Sequence, residues 1–325
     1  MPWHTKLTAQ LGIPLPILLA PMGGAAGGRL AAAVTAAGGL GLIGGGYGDA
    51  DWLEREFAAA GNARVGCGFI TWALARQPAL LERVLAHAPA AMMLSFGDPA
   101  PFAPAIRAAG STLICQVQTI AHTQAALECG ADIIVAQGTE AGGHGATRAT
   151  LTLVPEVADL LARRSPHTVL VAAGGIADGR GMAAAMMLGA DGVMLGSRLW
   201  ASPECLIHPN HQRAALAENG DGTIRQVAAD IARGYDWPAE FTGRVLRTAF
   251  VDRWYGQEAA QRQGAEAGRA AYLAAVADGR TADAGVFVGE AIGLMHDIAP
   301  AAEITQRIAA EAEALLRQRP RDVLM

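Results

Sequence analysis

Short apolar runs recur through the first 200 residues and are separated by segments with a helical pattern. Valine, isoleucine, leucine and methionine occupy consecutive positions in each run rather than alternate ones. Such runs are typical of parallel strands that are buried on both faces of a sheet. The eight predicted strands cover residues 16–21, 39–44, 64–70, 90–96, 112–117, 132–138, 168–175 and 192–199.

The segments between these runs favour helices by their length and composition. The predicted helices cover residues 29–37, 51–57, 79–86, 101–109, 120–128, 154–163 and 180–188. Asp51 and Glu54 have the spacing of a capping box. Gly110, Gly130 and Gly189 follow helices where a left-handed cap is favoured. Eight strands alternating with helices predict an α/β fold, a closed (β/α)8 TIM barrel, and an open doubly wound sheet is the alternative.

The pattern changes after residue 204, where strand–helix alternation is no longer evident and charged, alanine-rich segments dominate. Residues 223–232, 257–277 and 301–317 are predicted helices, and residues 286–295 form a separate apolar segment. We therefore expect three parts. They are a barrel over 1–204, a mainly helical cap over 205–285, and a return segment with a C-terminal helix packing on the barrel over 286–325.

Composition and charge argue against several classes of function and location for this protein. The formal net charge is −5 and no long basic run is present, which argues against nucleic-acid or membrane partners. Four cysteines form no CxxC pair, and Cys67 and Cys115 lie inside apolar runs, as free thiols often do. The N-terminus lacks the pattern of a signal peptide and no apolar segment reaches about 18 residues. These features predict a cytoplasmic protein.

Glycine-rich sequence follows the seventh and eighth predicted strands. In a barrel the segments after the strands converge on one face, which carries the active site. Gly174 and Gly175 permit close backbone approach to an anion, and Gly196 and Ser197 offer backbone amides and a hydroxyl. Phosphate sites in barrels are often built at these two strands. The loops therefore predict phosphate binding, although tight turns alone would also need glycine.

The first predicted strand ends in Pro21, Met22 and Gly23. Proline fixes the backbone there and the glycine leaves room for a flat ligand. A tight connection between strand and helix would use the same residues, so both interpretations stay open.

His144 stands among Gly138, Gly142, Gly143 and Gly145 after the sixth strand. Histidine titrates near neutral pH and suits proton transfer, and the glycines suggest that something bulky approaches the backbone. We predict His144 as the catalytic acid or base. Glu140 is the other candidate on this loop, and orienting the loop or capping the next helix are its alternative roles.

His208 and His211 flank Pro209 and could suggest a metal site. A zinc site needs a defined third or fourth ligand, and the proline indicates a turn between two parts of the chain. We therefore predict no metal and a structural role for this segment.

Taken in order, several blocks resemble those of the nitronate monooxygenase family, formerly called 2-nitropropane dioxygenases. These are FMN-dependent TIM barrels related to the flavin-dependent enoyl-acyl-carrier-protein reductases. The resemblance covers nearly the whole chain. It rests on PILLAPMGG, AAAVTAAGGLGLIGGG, AQGTEAGGH, AAGGIADGRG, LGADGVMLGSR and IHPNH.

The resemblance implies a set of FMN contacts and a role for His144. The FMN phosphate would lie on the loops after strands seven and eight, and the flavin ring against the end of strand one and the loop after strand six. His144 matches the family's active-site histidine, the base for neutral nitroalkanes. The implied cofactor residues are Pro21, Met22, Gly23, Gly68, Gln137, Gly142, Gly174, Gly175, Met194, Leu195, Gly196 and Ser197.

The implied reaction is oxidation of an alkyl nitronate by FMN and O2 to a carbonyl compound and nitrite. Two departures concern polar partners of the flavin: Gly68 stands where many relatives have asparagine, and Gln116 where some have lysine. Two alternatives stay open, namely an NAD(P)H-dependent reductase of a quinone or enoyl thioester and a non-redox barrel for a phosphorylated metabolite. The substrate pocket is expected at residues 47–49, 70–72 and 96–98 and the cap, and a homodimer is also considered.

Overall fold

The computed structural model of the chain describes residues 3–324, which form eleven strands. Eight of them, all parallel, coincide with the eight predicted apolar runs. The other three, β7, β10 and β11, form a separate small sheet. The strands are β1 (Ile17–Leu19), β2 (Leu42–Gly46), β3 (Gly66–Ile70), β4 (Ala91–Ser95), β5 (Thr112–Val117), β6 (Ile133–Gln137), β7 (Gly143–Gly145), β8 (Val169–Ala173), β9 (Gly192–Leu195), β10 (Thr223–Gln226) and β11 (Thr242–Leu246).

The parallel sheet closes into a barrel, which excludes the open doubly wound alternative. Its strand order is β1-β9-β8-β6-β5-β4-β3-β2, and each neighbouring pair is parallel. A parallel bridge between Leu18 and Leu40 joins the two ends of this order. There the Leu19 amide donates to the Leu40 carbonyl and the Leu40 amide to the Ile17 carbonyl, both at 3.0 Å. The predicted (β/α)8 fold is confirmed.

Fifteen α-helices occur in residues 3–324, and each predicted helix of the barrel is present within a few residues. The helices are α1 (Lys6–Leu11), α2 (Gly28–Ala36), α3 (Ala50–Ala60), α4 (Thr71–Leu74), α5 (Ala79–Leu85), α6 (Ala103–Ala108), α7 (Ile120–Glu128), α8 (Thr150–Arg164), α9 (Gly179–Met187), α10 (Ser197–Trp200), α11 (Pro209–Leu216), α12 (Ala228–Arg233), α13 (Ala249–Trp254), α14 (Glu258–Ala277) and α15 (Ala301–Leu324). None is long and apolar enough to span a membrane.

One predicted cap is wrong. Helix α3 begins one residue earlier than expected, and the side chain of Asp49, not Asp51, accepts from the Trp52 amide at 2.9 Å. Glu54 instead bonds to Arg83 and His87 of the neighbouring α5 region. The left-handed glycines are confirmed, since Gly110, Gly130 and Gly189 have φ of 74°, 76° and 101°.

Side chains alternate between two apolar layers along the barrel strands. In β1, Leu18 points into the barrel, whereas Ile17 and Leu19 pack against the surrounding helices. Leu7 and Leu11 of α1 join the inner layer and close the amino-terminal end of the barrel. This double burial explains why the strands are apolar at consecutive positions. The cysteines are buried and free, as predicted.

The three-stranded sheet was not predicted. Its order is β10-β11-β7, with both pairs antiparallel, so it joins two strands of the segment after residue 204 to the glycine-rich loop after β6. Residues 223–226 were expected to be helical, and that expectation is wrong. Their backbone groups pair with β11, about twenty residues away, which the local pattern does not reveal. The second part of the predicted helix is present as α12.

The segment after α14 returns to the barrel mouth. Phe287 forms a bridge with Val245 of β11, and the Leu246 amide donates to the Val286 carbonyl at 2.8 Å. A 3₁₀ turn follows at Glu290–Leu294. Helix α15 then packs on α2 and α9 of the barrel. The three-part division at 204 and 285 stays a prediction.

Candidate active site

A cavity of about 390 Å³ lies at the carboxyl ends of the barrel strands. Each of the eight barrel strands, or the loop directly after it, contributes residues to the cavity wall. Arg233, Trp237 and Tyr272, from the segment after the barrel, close it from above. The cavity therefore occupies the face where barrels carry their sites.

The structure brings nearly all of the predicted site residues to this cavity. Leu195 is the exception, because its side chain is fully buried among the core residues between strand and helices. The predicted residues that line the cavity are Pro21, Met22, Gly23, Gly68, Gln137, Gly142, His144, Gly174, Gly175, Met194, Gly196 and Ser197.

His144 is the middle residue of β7 and lies opposite Gly243 of β11. Its Nε2 is 2.8 Å from Oδ2 of Asp230 on α12, and the two side chains are 8% and 1% exposed. Burial lowers the pKa of His144 below its ordinary value, and the hydrogen bond to Asp230 opposes this only in part. The imidazole is therefore neutral near neutral pH and able to accept a proton.

Asp230 has a second hydrogen-bond partner besides His144. Its Oδ1 accepts from a terminal nitrogen of Arg233 at 2.5 Å, so each carboxylate oxygen has its own donor. The Arg233 guanidinium also lies 4.5 Å from the ring centroid of Phe287. Neither Asp230 nor Arg233 was predicted, because nothing in the local sequence of α12 distinguishes them from surface charges.

Glu140 caps a helix. Its two carboxylate oxygens each accept from the Thr150 amide at 3.0 Å, and one also accepts from the Thr150 hydroxyl at 2.8 Å. Thr150 is the first residue of α8, whose N-cap residue Ala149 has no side chain that could do this. Of the roles left open for Glu140, the structure shows the cap, and Glu140 also lines the cavity.

The glycines at two predicted positions make room for other parts of the protein. A Cβ at Gly142 would lie 2.5 Å from the Gly289 amide nitrogen and the Val288 carbonyl carbon of the return segment. A Cβ at Gly68 would lie 2.4 Å from Cγ of Pro21. A side chain at residue 68 would therefore overlap the Pro21 ring where it lies in this structure.

Two glutamines orient a third at the ends of β5 and β6. Gln116 and Gln118 both donate to Oε1 of Gln137, at 3.1 and 3.0 Å. The Gln137 amide nitrogen donates to no acceptor within residues 3–324, so it is free to donate into the cavity. Gln118 had no sequence signal, whereas Gln116 was noted only as a replacement for lysine.

Unpaired backbone amides are grouped at the ends of β8 and β9, which are neighbours in the barrel. The amides of Gly174, Gly175, Gly196 and Ser197 donate to no acceptor in the described part of the chain. Gly174 and Gly175 have φ of 102° and 73°, a backbone conformation that favours glycine. Four free donors at one wall of the cavity are suited to an anionic group.

The aromatic side chains of Tyr47, Phe96 and Trp237 also line the cavity. Tyr47 stacks on Tyr235 with ring centroids 3.6 Å apart, and Trp237 Nε1 donates to the Tyr47 hydroxyl at 2.9 Å. Phe96 has a φ of 63°, which is uncommon for a residue with a side chain. Tyr47 and Phe96 lie in loops expected at the pocket, whereas Tyr235 and Trp237 had no sequence signal.

His208 and His211 make hydrogen bonds within the protein, at the start of α11 and between α11 and the end of α14 and the turn after it. His208 Nδ1 accepts from the Asn210 amide at 3.2 Å at the start of α11. The ring nitrogens of His211 are 3.1 Å from the Thr281 hydroxyl and 3.0 Å from the Val276 carbonyl. Within residues 3–324, no cluster of three or more acidic, histidine or cysteine side chains is arranged to hold a metal ion.

Comparison with known proteins assigns the family. The family model described as nitronate monooxygenase matches residues 4–65 and 70–311, so the match is interrupted within β3, the strand that contains Gly68. A nitronate monooxygenase of Neurospora crassa is 32% identical over 93% of this chain and 90% of its own length. The nitronate monooxygenase npaC of Metarhizium robertsii is 33% identical, with 97% and 94% covered.

Solved structures give a similar result. FabK from Thermotoga maritima has a TM-score of 0.86 and 30% identity, with 98% of this chain and 99% of that chain covered. The nitroalkane oxidase from Streptomyces ansochromogenes has a TM-score of 0.81 and 26% identity, with 96% and 99% covered. Since the family match spans most of the chain, the protein belongs to the nitronate monooxygenase family of oxidoreductases.

Proposed function

We propose that this protein binds FMN and oxidises alkyl nitronates with O2 to a carbonyl compound and nitrite, and that it accepts neutral nitroalkanes by deprotonating them at His144. The family match supports the reaction class. The observation that carries the proposal is the placement of a buried histidine in the cavity, with one ring nitrogen bonded to Asp230 and the other free.

The residues of the cavity fit FMN. The unpaired amides of Gly174, Gly175, Gly196 and Ser197 would hold the phosphate. The segment Pro21–Gly23 and the free amide of Gln137 would contact the flavin ring. When bound, FMN supplies the redox chemistry, since it takes electrons from the substrate and passes them to O2.

His144 supplies the proton chemistry. Nδ1 has no hydrogen-bond partner within residues 3–324 and His144 lines the cavity, so Nδ1 is the ring nitrogen available to a substrate. For a neutral nitroalkane, the α C–H bond breaks, the proton moves to Nδ1, and the electron pair is left on the resulting nitronate. For a nitronate added as such, this step is not needed.

The proposal is tested with the purified protein, nitroethane and ethyl nitronate. We expect a flavin absorption spectrum, with the cofactor identified as FMN after release. We also expect oxygen uptake and stoichiometric nitrite with ethyl nitronate. A colourless protein that binds no added FMN, or one that consumes no oxygen with the nitronate, would refute it.

The similarity to FabK from Thermotoga maritima supports a second candidate, an NAD(P)H-dependent reductase. Mixing the flavin-loaded protein anaerobically with NADH or NADPH distinguishes the two. Rapid bleaching of the flavin by either nucleotide, without nitrite formation from nitronate in air, would favour the reductase. Slow or absent bleaching together with nitronate oxidation would favour the oxidase.

A further inference from the structure

We propose that Asp230 is a positioning residue that holds the proton of neutral His144 on Nε2 and so keeps the Nδ1 lone pair directed into the cavity. This inference rests on the proposed function, because it assigns the atom that takes the substrate proton. It adds to that function a residue of α12, outside the barrel.

The surroundings of Asp230 fix what it can do. The side chain is 1% exposed, and its other oxygen accepts from Arg233. A carboxylate that accepts from a guanidinium offers hydrogen-bond acceptors and no donor. Because Oδ2 lies 2.8 Å from Nε2 of His144, Nε2 must be the donor. Neutral imidazole has a single N–H, so Nδ1 is left as the acceptor.

The other groups around His144 do not compete for its proton. Trp237, Phe96 and Phe287 present uncharged rings to the imidazole, and Gly243 lies opposite it on β11. Two cations act on His144 from nearby elements, Arg233 of α12 and Arg225 of β10, and both disfavour its protonated form.

Both cations are themselves held by hydrogen bonds. Arg233 donates to Asp230 and to the Ala229 carbonyl. Arg225 donates to the carbonyl groups of Thr139, Gly145 and Thr242. Asp230 is thus the anion among the described residues that stabilises His144 once it has taken a proton.

Replacement of Asp230 by asparagine reverses the tautomer for a geometric reason. Arg233 can only donate, so it keeps the amide oxygen of residue 230 on its side. The amide NH2 group then faces Nε2 of His144, which must become the acceptor. Neutral His144 would carry its proton on Nδ1, and a protonated Nδ1 cannot remove a proton from substrate.

The first test is independent of turnover. Long-range ¹H–¹⁵N spectra of the purified holoprotein, labelled at histidine, report which ring nitrogen carries the proton, and His144→Gln identifies the signal. We expect the Nε2–H form in the wild type and the Nδ1–H form in Asp230→Asn. The matched control is Asp236→Asn, an exposed acid three residues beyond Arg233, which should leave the wild-type tautomer unchanged.

The second test compares two substrates. With nitroethane, kcat/KM of Asp230→Asn should fall about 10²–10⁴-fold, the usual range for a lost general base, and the kinetic isotope effect with 1,1-dideuterated nitroethane should increase. With ethyl nitronate, kcat/KM should stay near the wild-type value because no proton is removed. Asp230→Glu, which keeps the carboxylate, should recover part of the nitroethane activity.

The outcomes separate the two proposals. Wild-type protein in the Nδ1–H form would overturn the role of Asp230 even if Asp230→Asn proved unfolded. Equal losses on nitroethane and ethyl nitronate would also overturn it, because they indicate a general structural role. Wild-type protein inactive on both substrates but in the Nε2–H form would refute the proposed function and leave the tautomer assignment intact.

Discussion

The indole ring of Trp237 lies parallel to the imidazole ring of His144, with centroids 3.4 Å apart and an interplanar angle of 5°. Trp237 is held in this position by its hydrogen bond to the Tyr47 hydroxyl. The stack covers one face of His144 and contributes to the burial that lowers its pKa. Substrate can therefore reach His144 only from the side of the cavity that remains open.

Replacement of Trp237 by alanine is expected to raise the pKa of His144 towards its ordinary value of about 6.5. Burial disfavours the protonated imidazole, so exposing one face makes protonation easier. His144 acts as a base only when neutral. The acid limb of kcat/KM for nitroethane should therefore move to higher pH, which a pH profile measures.

Trp52→Ala is the control for this variant, since Trp52 is a partly buried tryptophan on α3, remote from His144. Its pH profile should match that of the wild type. An acid limb of Trp237→Ala that stays in place or moves to lower pH would contradict the assigned effect of burial.

His144→Ala should leave FMN bound but separate the two substrates. Turnover of nitroethane should fall about 10²–10⁴-fold, whereas turnover of ethyl nitronate should fall far less. Oxygen uptake with each substrate measures this. His167→Ala, which changes an exposed histidine before β8, should behave as wild type. Equal activity of His144→Ala and wild type on nitroethane would show that His144 is not the base.

Gly142→Ala should destabilise the protein by about 1–3 kcal/mol, the usual cost of overpacking. The added methyl group would meet backbone atoms of residues 288 and 289, which cannot rotate away as a side chain could. Gly264→Ala gives the opposite expectation. It lies within α14 with no atom within 4 Å of the new Cβ, and should stabilise the protein by roughly 0.5–1 kcal/mol. Urea denaturation measures both changes, and equal shifts would contradict the packing of the return segment.

Glu140→Ala tests whether Glu140 acts as a helix cap or as a catalytic acid. Loss of the cap on α8 should lower the free energy of unfolding by about 0.5–2 kcal/mol, because the Thr150 amide loses its acceptor. The limbs of the pH profile for nitroethane turnover should lie at the same pH as in the wild type. Disappearance of one limb would instead assign Glu140 a role in proton transfer.

The barrel could be predicted from sequence because its signals are local. Each strand is buried on both faces, so consecutive apolar residues mark it wherever its partners lie. Glycines at helix ends and after strands mark turns in the same way, as the positive φ of Gly110 and Gly174 shows. The position of His144 after β6 then places it at the carboxyl end of the barrel, and the structure places it in the cavity.

The partners of His144 could not be predicted, because pairing between distant segments creates them. Strand β10 has the local pattern of a helix and becomes a strand only through pairing with β11. The same sheet includes β7 and so sets His144 beside α12. Asp230 and Trp237 have no distinguishing neighbours in sequence, and their roles depend on distances to residues more than eighty positions away.

The sequence by itself determined the barrel, the active face and the histidine on it, since strand burial and turn conformation depend on neighbouring residues. Only the tertiary structure decided which nitrogen of His144 has no hydrogen-bond partner, what buries its ring, and why a side chain does not fit at Gly142. These properties arise where the loop after β6, helix α12 and the return segment 286–289 meet. Their contacts join segments far apart in the chain, and local patterns of polarity carry no record of such contacts.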